Sequence, residues 1–236
     1  MKKFIVDQEF WKVFPEAQIN VLVVRGIHNQ VDETKEGDFV ELLKYGKKEG
    51  KKFLTDEVFS QNQVIDEWRQ AFSQFKTKKG ARSSIEALLK RVDQDREFHP
   101  INPLVDLYNS ISMKYAVPCG GEDLNAICGD LHLGKAKGGE PFFSLGAEKD
   151  SPALSEEIIY YDNNGAVCRC LNWREAQRTM LQEDTKNAVL VIESVNSEQA
   201  KRADKAIKEL ESLIYSYFKV ESITAVLNNK STSFIL

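Results

Sequence analysis

The stretch INPLVDLYNSISMKYAVPCGGEDLNAICGDLHLGKAKGGEPFFSLG, residues 101–146, decides the fold. Asn102 followed by Pro103 is typical of a helix start, because asparagine caps free backbone amides and proline fits the first helical position. An apolar stripe follows, and Pro118 ends the helix. Two Gly-Gly-Glu turns then flank an alternating strand, and their glycines let the backbone approach a ligand closely. We therefore expect a ligand near these two turns.

Strand and helix patterns alternate along the rest of the chain. Alternating or continuous apolar residues predict strands at 2–6, 19–27, 125–135, 141–145, 187–195 and 220–227. Apolar residues at helical spacing predict amphipathic helices at 61–75, from Ser83 or Ser84 onward, at 102–117 and at 197–218. The Asp-Asn-Asn-Gly turn at 162–165 predicts a β-hairpin that joins 155–162 to 166–173. Residues 31–52 are charged and predict only one or two helical turns.

These elements predict a single domain over residues 1–236, of mixed α/β (α+β) class with a sheet flanked by helices. Its successive parts are the N-terminal strands and charged loop of 1–60, the helical segment of 61–97, the core of 100–195, and the C-terminal helix and strand of 196–236.

Composition excludes several classes of function. The formal net charge of -4 argues against a protein that coats nucleic acid by bulk electrostatics. The lysines and arginines of 44–52 and 76–91 fit either a solvated surface or a phosphate-contacting patch. Asp7 and Glu9 interrupt any signal peptide, and no run approaches the ~18 apolar residues of a membrane span. We expect a cytoplasmic protein without membrane contact.

No motif points to a metal, a cofactor or a familiar nucleophile. The four cysteines lack the spacing of paired zinc knuckles, so buried free thiols are favoured over a metal site. Neither a Walker motif nor a dinucleotide-binding fingerprint occurs, and we expect no cofactor. The three histidines leave no evident Ser-His or Cys-His pair.

Three loops concentrate the side chains that bind polar ligands, namely 118–123, 138–140 and 172–185. The third loop follows a strand directly and brings an amide, an aromatic ring and two guanidinium groups within seven residues, Asn172–Arg178. This combination favours a polar or anionic ligand.

Two segments resemble a known family. PLVDLYNSISMKYAVPCGGEDLNAI, residues 103–127, is similar to the editing and tRNA-binding module in the β subunit of bacterial phenylalanyl-tRNA synthetase. The shared series is Asp106, Asn109, Pro118 and then Glu122-Asp123-Leu124. EEIIYYDNNGAVCRCLNWREAQRTMLQEDTKNAVLVIES, residues 156–194, is similar to the second half of that module. Free-standing synthetase-like proteins resemble this chain more closely still, because they carry GGEDL and NWR at these places.

The resemblance implies hydrolysis of a mischarged aminoacyl-tRNA ester in trans, with tRNA or aminoacyl-tRNA as the partner. Glu122 or Glu140 is expected to orient the attacking water, and Arg174 or Arg178 to hold the terminal adenosine phosphate or the amino-acid carbonyl. The residues expected to bind substrate are Asn109, Gly120, Gly121, Asp123, Gly139, Asn172, Trp173, Arg174, Arg178 and Thr185. Because 236 residues are too few to include an aminoacylation domain, we expect no synthetase activity.

Two departures from the family pattern leave other functions open. Gly120 stands where the family module has a histidine, and Leu171–Arg174 stand where it has a Met-Gly-Gly loop. A non-catalytic module that binds tRNA or other RNA would need no such histidine. Binding of a small amino-acid-like metabolite would instead fit the net acidity and the Trp-Arg loop.

Overall fold

The computed structural model describes all residues, Met1–Leu236. Ten strands are present: β1 Lys3–Val6, β2 Gln18–Arg25, β3 Cys119–Asp123, β4 Leu131–Lys135, β5 Ile158–Asp162, β6 Gly165–Arg169, β7 Arg174–Glu175, β8 Asn187–Ser194, β9 Ser222–Leu227 and β10 Ser233–Ile235. Six α-helices are present: α1 Gln8–Val13, α2 Glu36–Gly50, α3 Gln63–Phe72, α4 Ser84–Asp93, α5 Pro103–Tyr115 and α6 Ser197–Phe218. This composition confirms the mixed α/β class. None of the helices is both long and apolar enough to cross a lipid bilayer.

The strands form two sheets. One has six strands in the order β10-β1-β4-β5-β6-β7, and the other has four in the order β3-β8-β2-β9. All neighbouring strands are antiparallel except β1 and β4, which are parallel. A single apolar cluster takes side chains from β1, β4, β5 and β6 of the first sheet and from β2 and β8 of the second. The two sheets therefore pack face to face.

Strand β8 separates the two halves of the core, because successive side chains of a strand point to opposite faces. Val189 and Val191 face the six-stranded sheet. Leu190 and Ile192 face the other way, toward a second apolar cluster that includes side chains of α5 and α6. The four-stranded sheet thus has helices on one face and the other sheet on its second face.

Helix α5 confirms the prediction made from its cap and apolar stripe, and α6 confirms the prediction made from its apolar stripe alone. Asn102 caps α5, and its Oδ1 accepts a hydrogen bond from the Val105 backbone amide at 3.1 Å. The helix ends at Ala116, whose φ of 50° lies in the left-handed region. Asn196 caps α6 in the same way, through the Gln199 amide at 2.9 Å.

Other elements differ from the sequence predictions. Residues 119–123, expected as a turn, form β3, because all five residues pair with β8. The expected strand at 141–145 is absent, and only a bridge from Ser144 to Ala176 remains. Residues 36–50 form four turns of helix instead of one or two. The short elements α1, β7 and β10 were not predicted.

Candidate functional site

A cavity of about 180 Å³ lies between the two sheets. The four-stranded sheet supplies Cys119, Gly120, Gly121, Glu122, Val189, Val191 and Glu193. The six-stranded sheet supplies Leu131, Tyr160, Cys168, Arg174 and Glu175, and the remaining lining residues are Asn172, Trp173 and Ser84. The cavity is large enough for a small organic group, and its walls combine apolar side chains with three carboxyl groups.

Strand register sets the positions of two of these carboxyl groups. Glu122 on β3 pairs with Val189 on β8, and Glu193 lies four residues after Val189 on β8. Four residues of strand span roughly 13 Å, so Glu122 and Glu193 stand toward opposite ends of the cavity wall. Gly120 pairs with Val191 between them and contributes no side chain.

The third carboxyl group lies over this glycine. Glu175 belongs to β7, which pairs with β6 through Cys168. Its Oε1 is 3.3 Å from the point that a Cβ on residue 120 would occupy. Gly120 thus leaves the space into which the Glu175 carboxylate projects.

Burial in the cavity changes the proton affinity of all three carboxyl groups. Desolvation raises the pKa of Glu175 to about 7, and the Gly121 backbone amide acts in the opposite direction. Desolvation also raises the pKa of Glu193 to about 7, although the Tyr160 hydroxyl donates a hydrogen bond to its Oε1 at 2.9 Å. The pKa of Glu122 is raised well above its usual value by burial and by the nearby Glu175.

Three buried polar atoms of the cavity residues have no hydrogen-bond partner: Glu122 Oε2, Glu193 Oε2 and Asn172 Nδ2. All three residues are at least nine-tenths buried. A buried polar atom without a partner is unfavourable by about 1–3 kcal/mol, so such atoms in native proteins call for an explanation. The Asn172 side chain lies beside Glu193 and the Thr179 side chain beside Glu122, where they lower the pKa of these groups, and a polar ligand in the cavity would add partners in better geometry.

The two arginines of the predicted ligand loop have different environments. Arg174 is exposed at the cavity mouth, and its guanidinium carbon lies 5.0 Å from the centre of the Trp173 ring. Arg178 lies outside the cavity and donates to both carboxylate oxygens of Asp162, at 2.9 and 2.7 Å. Arg174 is therefore free to meet a ligand, whereas Arg178 braces the β5–β6 hairpin.

The structure brings together six of the predicted site residues: Gly120, Gly121, Glu122, Asn172, Trp173 and Arg174. The other predicted residues do not line the cavity. Glu140 accepts hydrogen bonds from the Lys137 and Gly138 amides at 2.7 and 3.0 Å, so it caps its own turn, beside the exposed Gly139. Asp123 accepts from the Thr185 hydroxyl at 2.8 Å. Asn109 lies half-buried on α5.

Sequence reasoning missed Glu175, Glu193 and Tyr160. A signal for Glu193 was present, because its position in the alternating run NAVLVIES places a carboxylate on the same strand face as Val189 and Val191. Glu175 had no comparable signal, since it enters the cavity through a strand of only two residues.

Comparisons with known proteins agree with this architecture. The B3/4 domain family matches residues 67–223, more than half of the chain. A solved structure of an N-terminal fragment of the phenylalanyl-tRNA synthetase β subunit from Pyrococcus horikoshii is similar, with a TM-score of 0.51 at 10% identity. That match covers 96% of this chain and 54% of the fragment, so the chain spans about half the length of this relative. No curated protein matches.

The fold likeness and the family match confirm the resemblance to the synthetase β subunit, and the matched region extends beyond residues 103–194 on both sides. This chain belongs to the B3/4 domain family.

Proposed function

We propose that this protein hydrolyses the ester bond of a mischarged aminoacyl-tRNA, with the aminoacyl group in the cavity between the sheets. The observation that carries the proposal is the convergence of Glu122, Glu175, Glu193 and Asn172 on one small cavity. The family relationship to a synthetase subunit supports tRNA as the carrier of the acyl group.

The carboxyl groups have the proton affinities that ester hydrolysis needs. Glu175, with a pKa of about 7, is suited to act as a general base near neutral pH. Burial and the nearby Glu175 raise the pKa of Glu122 well above its usual value, which favours the protonated form, and a protonated Glu122 is suited to donate a hydrogen bond to the ester carbonyl. In this proposal Glu175 acts as the base and Glu122 as the hydrogen-bond donor.

The reaction requires only water and the ester. Glu175 takes a proton from a water molecule while the water oxygen adds to the carbonyl carbon, and Glu122 stabilises the resulting oxyanion. Collapse of this intermediate breaks the bond to the ribose oxygen, which receives the proton from Glu175. The products are a free amino acid and an uncharged tRNA, and both carboxyl groups return to their starting states.

Residues at the cavity mouth are suited to hold the end of the tRNA. Trp173 is half-exposed and offers an aromatic face for a base. Arg174 is exposed beside it and offers a guanidinium group for a phosphate. A terminal adenosine held there would direct its ester into the cavity.

The test is to incubate the purified protein with a panel of correctly charged and mischarged tRNAs. We expect at least one mischarged tRNA to lose its amino acid, and we expect Glu175→Gln to slow this by about 10²–10⁴-fold. Glu122→Leu removes the hydrogen-bond donor and should also slow it, whereas Glu148→Gln changes an exposed carboxylate outside the cavity and serves as the control. No deacylation above buffer, or equal rates in all three variants, would contradict the proposal.

A second candidate is a tRNA-binding module without catalysis. The observation that favours it is that no histidine lines the cavity, although the resemblance places a histidine at Gly120. This alternative predicts tRNA binding that weakens steeply as salt concentration rises, without ester cleavage. The same panel, combined with binding measurements at two salt concentrations, separates the two candidates.

A further inference from the structure

The charges that line the cavity are unbalanced. Glu122, Glu175 and Glu193 supply three carboxyl groups, and the only basic lining residue is Arg174, which is exposed beside Trp173 at the mouth. A buried carboxylate is strongly unfavourable unless a positive group or hydrogen-bond donors accompany it. Burial raises the pKa of all three groups, so they are held toward the neutral form without a ligand, and a cationic ligand group would stabilise the ionised form.

The neighbouring arginines do not supply a cation, because each already has an acidic partner, and the Lys78 ammonium group, 6.0 Å from the centre of the Trp173 ring, donates to the Ser151 hydroxyl. Arg178 binds Asp162. Arg169 lies behind the cavity wall and binds Glu157, with 2.9 Å between Nε and Oε2. Both guanidinium groups also donate to backbone carbonyl oxygens, which fixes them in place.

Glu193 is the most deeply buried of the three carboxyl groups, with 2% of its surface exposed. One of its oxygens accepts from the Tyr160 hydroxyl, and the other, Oε2, has no partner in hydrogen-bond geometry, although the Asn172 side chain lies close enough to lower the pKa of the group. A single free oxygen suits a compact ammonium group, whose donors rotate freely, better than a planar group that needs two oxygens.

The path from Gly120 and Glu175 to Glu193 is apolar. Val191 lies opposite Gly120 and two residues before Glu193, a distance of about 7 Å along the strand. Tyr160 and Cys168 cover this path from the other sheet. The Cys168 thiol is buried, which raises its pKa and keeps it neutral. Such walls fit the methylene groups of a short alkyl chain that ends in a charge.

We infer that the cavity selects aminoacyl groups whose side chain is a short alkyl chain ending in a positively charged nitrogen, with that nitrogen bound to Glu193. This inference rests on the proposed function, because it assumes that the ester lies near Glu175. The α-ammonium group then meets Glu175 or Glu122, and the side-chain cation meets the free oxygen of Glu193.

The test compares two probes that differ only in the terminal cation. L-lysinamide and L-norleucinamide both carry an α-ammonium group, and only the first carries a side-chain ammonium group. Isothermal titration calorimetry on the full chain near neutral pH should show lysinamide binding at least about tenfold more tightly. Glu193→Gln should abolish this preference, and Glu148→Gln should leave it unchanged.

The outcomes distinguish this inference from the proposed function. Equal or tighter binding of norleucinamide, or no binding of either probe at millimolar concentration, overturns the inference even if neutral aminoacyl-tRNAs are deacylated. A lysinamide preference without deacylation of any tRNA upholds the inference and overturns the proposed function. The wild-type comparison needs no variant, so it remains decisive if Glu193→Gln does not fold.

Discussion

Glu175 Oε1 lies 3.3 Å from the point that a Cβ on Gly120 would occupy. Gly120 does not have a positive φ, so its backbone does not require glycine. What glycine provides here is room for the carboxylate. The Glu175 carboxylate therefore occupies its position because residue 120 has no side chain.

This arrangement predicts different outcomes for the two adjacent glycines. In Gly120→Ala the new methyl group meets only the flexible end of Glu175, so we expect a stability change below about 1 kcal/mol and several-fold slower deacylation. In Gly121→Ala it collides with the Leu190 and Leu181 side chains in the core, which should be unfavourable by about 1–3 kcal/mol. Urea denaturation and deacylation rates measure both effects. Equal loss of stability in the two variants would contradict this view of Gly120.

The raised pKa of Glu193 predicts how stability depends on pH. The folded protein keeps a proton on Glu193 up to about pH 7, whereas the unfolded chain loses it near its ordinary value of 4.5. The folded state binds more protons between these values, so this group's contribution to stability falls as pH rises through that window. Glu193→Gln removes the ionisation and should be the more stable protein above about pH 7, by roughly 1–3 kcal/mol.

Urea denaturation of Glu193→Gln and the wild type across this pH range tests the prediction. The difference should shrink toward zero as pH falls below 4.5, because the wild-type carboxyl is then protonated in both states. Glu148→Gln removes one exposed carboxylate and controls for the change in net charge. A difference that stays constant across the range would exclude titration of Glu193 as its cause.

The sequence predicted the helices whose caps or apolar periodicity lie within their own residues. Helix α5 follows from the cap and proline at 102–103, and α6 follows from its apolar stripe over 197–218. Strand β3 could not be predicted in this way. Its Gly-Gly sequence favours a turn by itself, and it becomes a strand only because β8, almost 70 residues away, supplies hydrogen-bond partners.

The residues of the candidate site were also predicted only in part. Glu122, Asn172 and Arg174 were recognised because they belong to dense polar loops, and the cavity contains them. Glu140 belongs to an equally dense loop, but its carboxylate is used to close the turn of Lys137 and Gly138. Residue types alone do not distinguish a carboxylate that faces a ligand from one that caps a turn.

The buried ion pair behind the cavity predicts a large effect on stability. Arg169 and Glu157 are 1% and 0% exposed, so removing one charge leaves the other buried and unpaired. Glu157→Gln should therefore reduce the free energy of unfolding by about 3–5 kcal/mol. The double variant Arg169→Met, Glu157→Leu should lose less than the sum of the single variants. Urea denaturation of the wild type, Arg169→Met, Glu157→Leu and the double variant measures this coupling. If the losses of the two single variants added up to the loss of the double variant, the prediction would be wrong.

Alanine substitutions at Arg174 and Arg178, four residues apart, should have opposite consequences for tRNA binding and for stability. Arg174 is exposed and contacts Trp173, so Arg174→Ala should weaken tRNA binding several-fold and change stability by less than about 0.5 kcal/mol. Arg178→Ala leaves the fully buried Asp162 side chain without its charged partner and should reduce stability by about 2–4 kcal/mol.

Filter binding at low and moderate salt, together with urea denaturation, measures both quantities for both variants. Loss of a phosphate contact at Arg174 should also reduce the salt dependence of tRNA binding, because fewer counterions are then released. The Arg178→Ala protein, at temperatures where it remains folded, should keep the wild-type salt dependence. If Arg178→Ala alone changed the salt dependence, the phosphate contact would belong to Arg178, and the assignment of Arg174 to the cavity mouth would have to be reversed.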